Sequence, residues 1–540
     1  PNILAESEKH PTKMSAYRSF MRSVLKFLYR RGQSTAPHDS GQNNCDEEPK
    51  QNTDANNADD VFRKMVGDIM EVEIRLAKIA VGAKNGQSHI RTLKEWISEL
   101  GKELPILEAL DTDFSRTAVT LKDTYEVIVQ LPEYFKELVL YLTDLRNRKF
   151  YNYVGWYMVR DIADGLTCVI RKKLNDFLKE TTKPGIPVHL DGNACVKKLI
   201  GHHGLMDNGV AYLFLKRYFP KTLITEARTI AGDIGNTFSN FISSNSWMNQ
   251  ETKEKMSTWM TDLSYHIIAS DESLNKSAVG KKYDLVQLQQ DMSLPQWIWH
   301  LRENNYLQKL RLIQTPYERN KIWPLSPLAT TSTYYQYYTA LEMPAGALQP
   351  PVYKKDAPTS CKLGSMGSLV GEIMAWAMTD EGCVWGERTG KYSWSQAEKR
   401  NLKQLANCLK FQKGRKPNQG QHSKQDQQEK FDQRGGDSAL QLKLYDHVGL
   451  RTSFYAFKNR LSECATTCPQ LESEDVKKKH FKRFFEGYAK RHCEANRDRD
   501  TEYSVNYALK TFAKFAEAFQ CQNKDKMKGK DNCNIVPQAL

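Results

Sequence analysis

Twelve histidines are present, yet none stands four residues from another, so the helical H-E-x-x-H zinc clamp is absent. His202 and His203 are adjacent. On a helix they would diverge by about 100° and could not share an ion, which leaves a satisfied or exposed pair. Gly280-Lys281 resembles the end of a phosphate loop, but Lys282 replaces the Ser or Thr, and Asn275 stands where the first Gly is needed. Gly364, Gly367 and Gly371 are not spaced as a dinucleotide fingerprint and predict close helix packing. Cys464 and Cys468 could share one helix face but have no visible partners for a metal, and read as disulfide or core cysteines. Glu372 is the single acid in the apolar run Leu369 to Met378. An unpaired buried carboxylate is costly, so Glu372 should lie at a helix edge or meet an Arg or Lys.

The elements that must position these residues are mostly helical. Phe62, Met65, Val66, Ile69, Val72 and Leu76 recur at helical spacing, as do Phe135, Leu138, Val139 and Leu142 behind Pro132. Phe481, Phe484, Phe485 and Tyr488 form a third stripe, with Lys482, Arg483, Lys490 and Arg491 read as its opposite side. Thr339 to Met343 is the best strand candidate. Residues 33–60 and 413–437 are polar and read as exposed linker or excursion.

The 540 residues allow three or four domains or two large lobes, and a 40% hydrophobic share excludes a wholly disordered chain. No run of 18 apolar residues exists, so no transmembrane helix is expected within the chain. It begins at Pro1 without a signal-peptide core, which suggests a trimmed or missing start. The formal charge of +14 points to a solvated basic surface or to acidic partners, anionic glycans ahead of nucleic acid. Eleven cysteines, an odd number without paired C-x-x-C knuckles, are compatible with disulfides.

The order of several motifs resembles the neprilysin and endothelin-converting-enzyme family of zinc metallopeptidases over about residues 60 to 540. Asn152-Tyr153 with Trp156 is similar to its N-Y-x-x-W helix, and Trp247-Met248 with Glu251-Thr252-Lys253 to its W-M-x-x-x-T-K segment. The run from Pro344 through Pro351 (PAGALQPP) is close to the family's P-A-G-I-L-Q-P-P. The run from Phe515 to Cys521, continuing through Met527 to Cys533, resembles the family's ending.

That resemblance implies a predominantly α-helical, two-lobed ectodomain with a central chamber and a few short strands. Its expected divisions are a poorly defined N-terminal segment with a linker (1–60), early helices of the first lobe (61–144), a second helical lobe (145–320), and a degenerate peptidase part of the first lobe (321–540). Aligned to the family's zinc motif, the first zinc histidine is replaced by Glu372, the general-base glutamate by Ile373 and the second zinc histidine by Trp376. The third ligand, a glutamate, is replaced by Leu442, while the motif's aspartate persists as Asp446. The family's transition-state histidine and substrate-carboxylate arginine fall on Asp498 and Ser504, and its N-A substrate clamp on Thr331 and Ser332.

Three N or O donors and an open position make a catalytic zinc site. Only Glu372 among the inherited ligand positions offers one, and Ile373 cannot take a proton from water. The resemblance therefore implies a member without zinc or catalysis, secreted or anchored through a missing N-terminal segment, that binds peptides or an extracellular protein. The alternatives are an active zinc endopeptidase rearranged around Glu372, Asp446 and His447, or a binder of heparin-like surfaces. The resemblance also pairs Cys408 with Cys533 and leaves Cys493 and Cys521 seeking N-terminal partners, with Cys45 one substitute. Asn275-Lys276-Ser277 is a lone glycosylation sequon.

Overall fold

The computed structural model describes residues 2–32, 55–83, 89–100, 105–182, 192–201, 204–287, 289–315, 318, 321–335, 338–376, 394–411, 436–465, 473–493 and 499–529. In chain order the main elements are α1 (Pro11–Gly32), α2 (Ala55–Gly82), β1 (His89–Thr92), β2 (Glu126–Val129), α3 (Pro132–Asp144), α4 (Asn147–Ile162), α5 (Cys168–Thr181), α6 (Lys221–Ser244), α7 (Gln250–Asp262), β3 (Ser264–Ile268), α8 (Leu294–Arg311), β4 (Thr333–Tyr335), β5 (Ala340–Pro344), α9 (Ser368–Ala375), α10 (Gln396–Phe411), α11 (Gly436–Ala465), α12 (Glu474–Arg491), α13 (Arg499–Lys510) and α14 (Ala513–Phe519). No described helix is long and apolar enough to cross a membrane.

The chain forms two compact units, residues 1–206 with 280–316, and residues 207–279 with 317–540. This division differs from the expected one. The 145–320 segment is not a unit of its own, because residues 207–279 pack with the C-terminal part through α6, α7 and β3.

In the first unit, α1 places Met14, Tyr17, Phe20, Met21, Val24 and Phe27 on one buried face, at the three- and four-residue spacing of a helix. Much of the segment expected to be poorly defined is therefore core. The stretch expected to be linker up to residue 60 is helical from Ala55. Asp59 there accepts from Arg22 Nε of α1 (3.0 Å) and Arg63 Nη2 (3.2 Å), which fixes the start of α2 against α1. The N-Y-x-x-W helix, α4, braces the same core. Asn152 Nδ2 donates to Asp68 of α2 (3.0 Å), and Trp156 Nε1 donates to Tyr17 Oη of α1 (3.0 Å). β1 and β2 pair antiparallel. The stripe behind Pro132 forms α3, with Pro132 in its first turn.

In the second unit a three-stranded sheet runs in the order β3-β5-β4, with β3 parallel and β4 antiparallel to β5. The predicted strand at Thr339 to Met343 is β5, displaced by one residue. The W-M-x-x-x-T-K segment opens α7. Asn249 Oδ1 accepts from Thr252 N (2.8 Å), and Glu398 of α10 accepts from Asn249 N (2.9 Å) and Thr252 Oγ1 (3.1 Å). Phe454 of α11 packs with Phe484 and Phe485 of α12 and with Phe512 at ring-centre distances of 5.3 to 5.5 Å. Thr359–Lys362, a π-helical turn at Leu363–Gly367, and α9 follow one another without a break. The glycines here serve packing, as expected. A Cβ on Gly364 would lie 1.9 Å from Phe484 O of α12, and one on Gly371 would lie 2.8 Å from Gly449 Cα of α11.

A buried ion pair at the candidate functional site

The close approach of α9 to α11 and α12 decides what surrounds Glu372. The Glu372 carboxylate accepts from Arg491 Nη2, at the end of α12, and both side chains are largely buried, with exposures of 13% and 5%. Glu372 thus meets the cation its burial requires, but that cation had been assigned to the solvated side of the α12 stripe. Arg491 is in fact on the buried face. It follows Tyr488 by three residues, and its guanidinium lies 5.3 Å from the Tyr488 ring centre.

Asp446, on α11, lies within hydrogen-bonding reach of Glu372. Burial pushes the Glu372 carboxyl up to about 8; Arg491 pulls it down, and Asp446 pushes it up again. Burial also holds the Tyr488 hydroxyl well above its ordinary value, reinforced by Asp446 and Glu372. Burial beside Arg491 depresses His492 to about 3. Two carboxylates, one guanidinium and one phenol thus form a closed electrostatic group.

His447, next to Asp446 in sequence, turns elsewhere. Its Nδ1 lies 2.9 Å from Arg451 Nη1 and 3.2 Å from Thr511 Oγ1. Arg451 Nη2 also donates to Thr511 O (2.8 Å), and the guanidinium lies 4.9 Å from the Phe512 ring centre. Burial, then Arg451, keeps His447 well below its ordinary range. The rearranged site of Glu372, Asp446 and His447 is therefore not assembled. Among the described residues no three His, Cys, Asp or Glu side chains come together as a metal site.

Ile373 is buried at 8% exposure. The Trp376 ring packs 5.4 Å from Tyr334 of β4, whose hydroxyl accepts from Trp259 Nε1 at 2.7 Å. Thr331 is exposed and Ser332 half-buried, immediately before β4 at the sheet edge. Leu442 lies on α11 and Ser504 on α13, and Cys408 on α10. Asp498, Cys45, Cys468, Cys533, His202 and His203 lie outside the described residues, and so does the pairing of Cys408 with Cys533. Cys168, Cys195, Cys361, Cys493 and Cys521 are free thiols. Gly280 and Lys281 belong to the helix Lys276–Lys281 and form no phosphate loop. Asn275 is exposed and caps that helix, accepting from Ser277 N at 2.9 Å.

Set against the zinc ion that the family resemblance implies, this donor set does not fit. The one carboxylate at a ligand position that the resemblance aligns faces a guanidinium, whose charge opposes a dication. An indole N–H is a donor only, and an isoleucine offers no lone pair. Arg491, Tyr488 and Arg451 were not found from the sequence as site residues. The signal for Arg491 was its phase on the α12 stripe.

Residues 2–269 and 332–535 match the two parts of the description Peptidase family M13. The chain is 21% identical over 553 residues to endothelin-converting enzyme-like 1 of Mus musculus, covering 98% of this chain and 64% of that protein. It is 22% identical over 460 residues to neprilysin of Homo sapiens, covering 81% of this chain and 58% of that protein. The chain thus spans less than two thirds of the length of these curated relatives. Among solved structures, the open state of the Mycobacterium tuberculosis zinc metalloprotease Zmp1 superposes with a TM-score of 0.72 at 15% identity, covering 97% of this chain and 76% of that one. PepO from Lactobacillus rhamnosis does so with a TM-score of 0.62 at 15% identity, covering 98% and 76%. These likenesses bear on the fold.

Proposed function

Because the chain belongs to peptidase family M13, we propose that it is a catalytically inactive, zinc-free relative that acts outside the cell by binding peptides or a protein partner. The observation that carries this reading is the Arg491–Glu372 ion pair. It places a fixed internal cation against the only donor side chain at the aligned ligand positions. Ile373 cannot act as the base that would activate water. The peptide-binding part rests on family likeness and on β4, a strand at the sheet edge beside Thr331 and Ser332. Sheet edges accept extended chains through main-chain hydrogen bonds. An extracellular location draws on the same likeness and on the exposed sequon at Asn275.

The test is metal content and peptide cleavage on the purified, undialysed chain. Less than about 0.1 zinc per chain, with no chelator-sensitive cleavage, is expected from a donor set short of three ligands. Near-stoichiometric zinc with chelator-sensitive cleavage of a peptide library would overturn the proposal and return the chain to the active peptidases.

A further inference from the structure

A second site lies along β3, on the other edge of the sheet from β4. A cavity of about 550 Å³ is lined there by Leu263, Ser264, Tyr265 and His266, together with Arg228, Asp271, Lys321 and Trp323. Four consecutive residues ending in an edge strand form one wall, so an extended main chain can lie beside them. His266 is 3% exposed and is held in place from behind. Its Nδ1 lies 3.0 Å from Glu342 Oε1, and the other Glu342 oxygen accepts from Leu325 N at 2.9 Å. A carboxylate accepts only, so Nδ1 carries the proton and donates. The Trp323 ring stacks on the imidazole, 4.4 Å between centres and 9° from parallel. The remaining ring nitrogen, Nε2, is buried and has no hydrogen-bond partner among the described residues. In the tautomer that donates through Nδ1 to Glu342, Nε2 is an acceptor, and a buried acceptor calls for a donor.

The charges at the rim are mixed. Arg228 Nη2 donates to Ala269 O (2.9 Å) and Asp271 (3.2 Å), and Lys321 pairs with Glu318 (2.7 Å). All of these rim cations retain exposed surface, 40% for Arg228 and 64% for Lys321. The wall thus presents an acceptor, an aromatic plate and two cations, beside the carboxylates of Asp271 and Glu272. We propose that this cavity captures the C-terminal end of a peptide. The last residue's N–H is directed at His266 Nε2, its main chain runs along β3, and its carboxylate meets Arg228 and Lys321. The main-chain wall favours a peptide over a sulfated sugar, which would offer the same donor-plus-anion pair. The proposal rests on the geometry of β3 and is independent of whether the chain binds zinc.

The probe is N-acetyl-dialanine, as free acid and as C-terminal amide, titrated calorimetrically into the full chain. The free acid should bind, and the amide should bind at least about tenfold more weakly, the size of one lost charged hydrogen bond. The exposed-rim variant R228Q/K321Q should show the same loss at an unchanged melting temperature. H266Q should weaken both probes, with its melting temperature recorded because the site is buried. Trp323→Phe should remove the fluorescence response to the free acid. Equal binding of acid and amide, no binding up to about 10 mM, or binding of a sulfated heparin disaccharide that the same rim variant abolishes would each overturn the proposal.

Discussion

Arg491 and Glu372 are both buried, so removing one leaves the other as an uncompensated charge, whereas replacing both with apolar side chains removes the cost together. Above about pH 8, where Glu372 is ionised, Arg491→Met should therefore destabilise the second unit by about 3–5 kcal/mol, and the double variant Glu372→Met/Arg491→Met should recover most of that loss. Chemical denaturation of the four species of the cycle measures the coupling, and additive losses would show that the two groups do not act as a pair. The same carboxylate makes stability depend on pH. Its folded value, about 8, lies above its ordinary 4.5, so folding favours the protonated form. Its contribution is complete below about pH 4.5 and fades as pH rises through about 8. Glu372→Gln should flatten that decline in melting curves recorded from pH 5 to 8.5; an unchanged slope would place the titration elsewhere. The need for a cation at Glu372 was legible in a lone acid within an apolar run. Its source was not, because Arg491 is 119 residues away in sequence and the contact depends on packing between helices.

Helices that meet backbone to backbone tolerate no added volume. Gly364→Ala would push a methyl group into Phe484 O, and Gly371→Ala into the Gly449 backbone, so each should cost about 1–3 kcal/mol. An exposed control such as Gly280→Ala meets no atom within 4 Å and should be near neutral or mildly stabilising within its helix. Thermal unfolding of the three variants decides between packing and backbone freedom. At this scale the sequence was informative where periodicity is local. The faces of α2 and α3 and the role of the glycines follow from spacing alone. The apolar face of α1 is just as periodic, but its proximity to a polar stretch masked it. Arg491 shares the phase of Phe484 and Tyr488, and its charge, not its position, suggested the wrong face.

Taken over the whole chain, the net charge of +14 sets non-specific association more than it sets fold. Lys477 of α12 already faces Glu474 at 3.4 Å, and Lys514 faces Glu517 at 2.7 Å, so part of the basic charge is locally matched. Retention on a heparin column should therefore be weak and end below about 0.3 M salt, where screening over about a nanometre or less dissolves diffuse attraction. Elution only near 1 M would instead reveal a built glycan site. The two units are each assembled from separated stretches of chain. No composition shift marks such an exchange of segments, so the sequence suggests boundaries at 144 and 320 rather than this division, while the helical class is evident.

The ion pair between α9 and α12 also has a historical consequence. A histidine introduced at Glu372 would strand the guanidinium of Arg491, and a neutral residue at Arg491 would strand Glu372 beside Asp446. On the proposed zinc-free reading, each first step toward a metal centre thus passes through a less stable protein before any donor set is complete. Such an arrangement acts as a ratchet. Gaining such a centre demands several simultaneous changes, and selection acting one substitution at a time is held on the near side of that barrier.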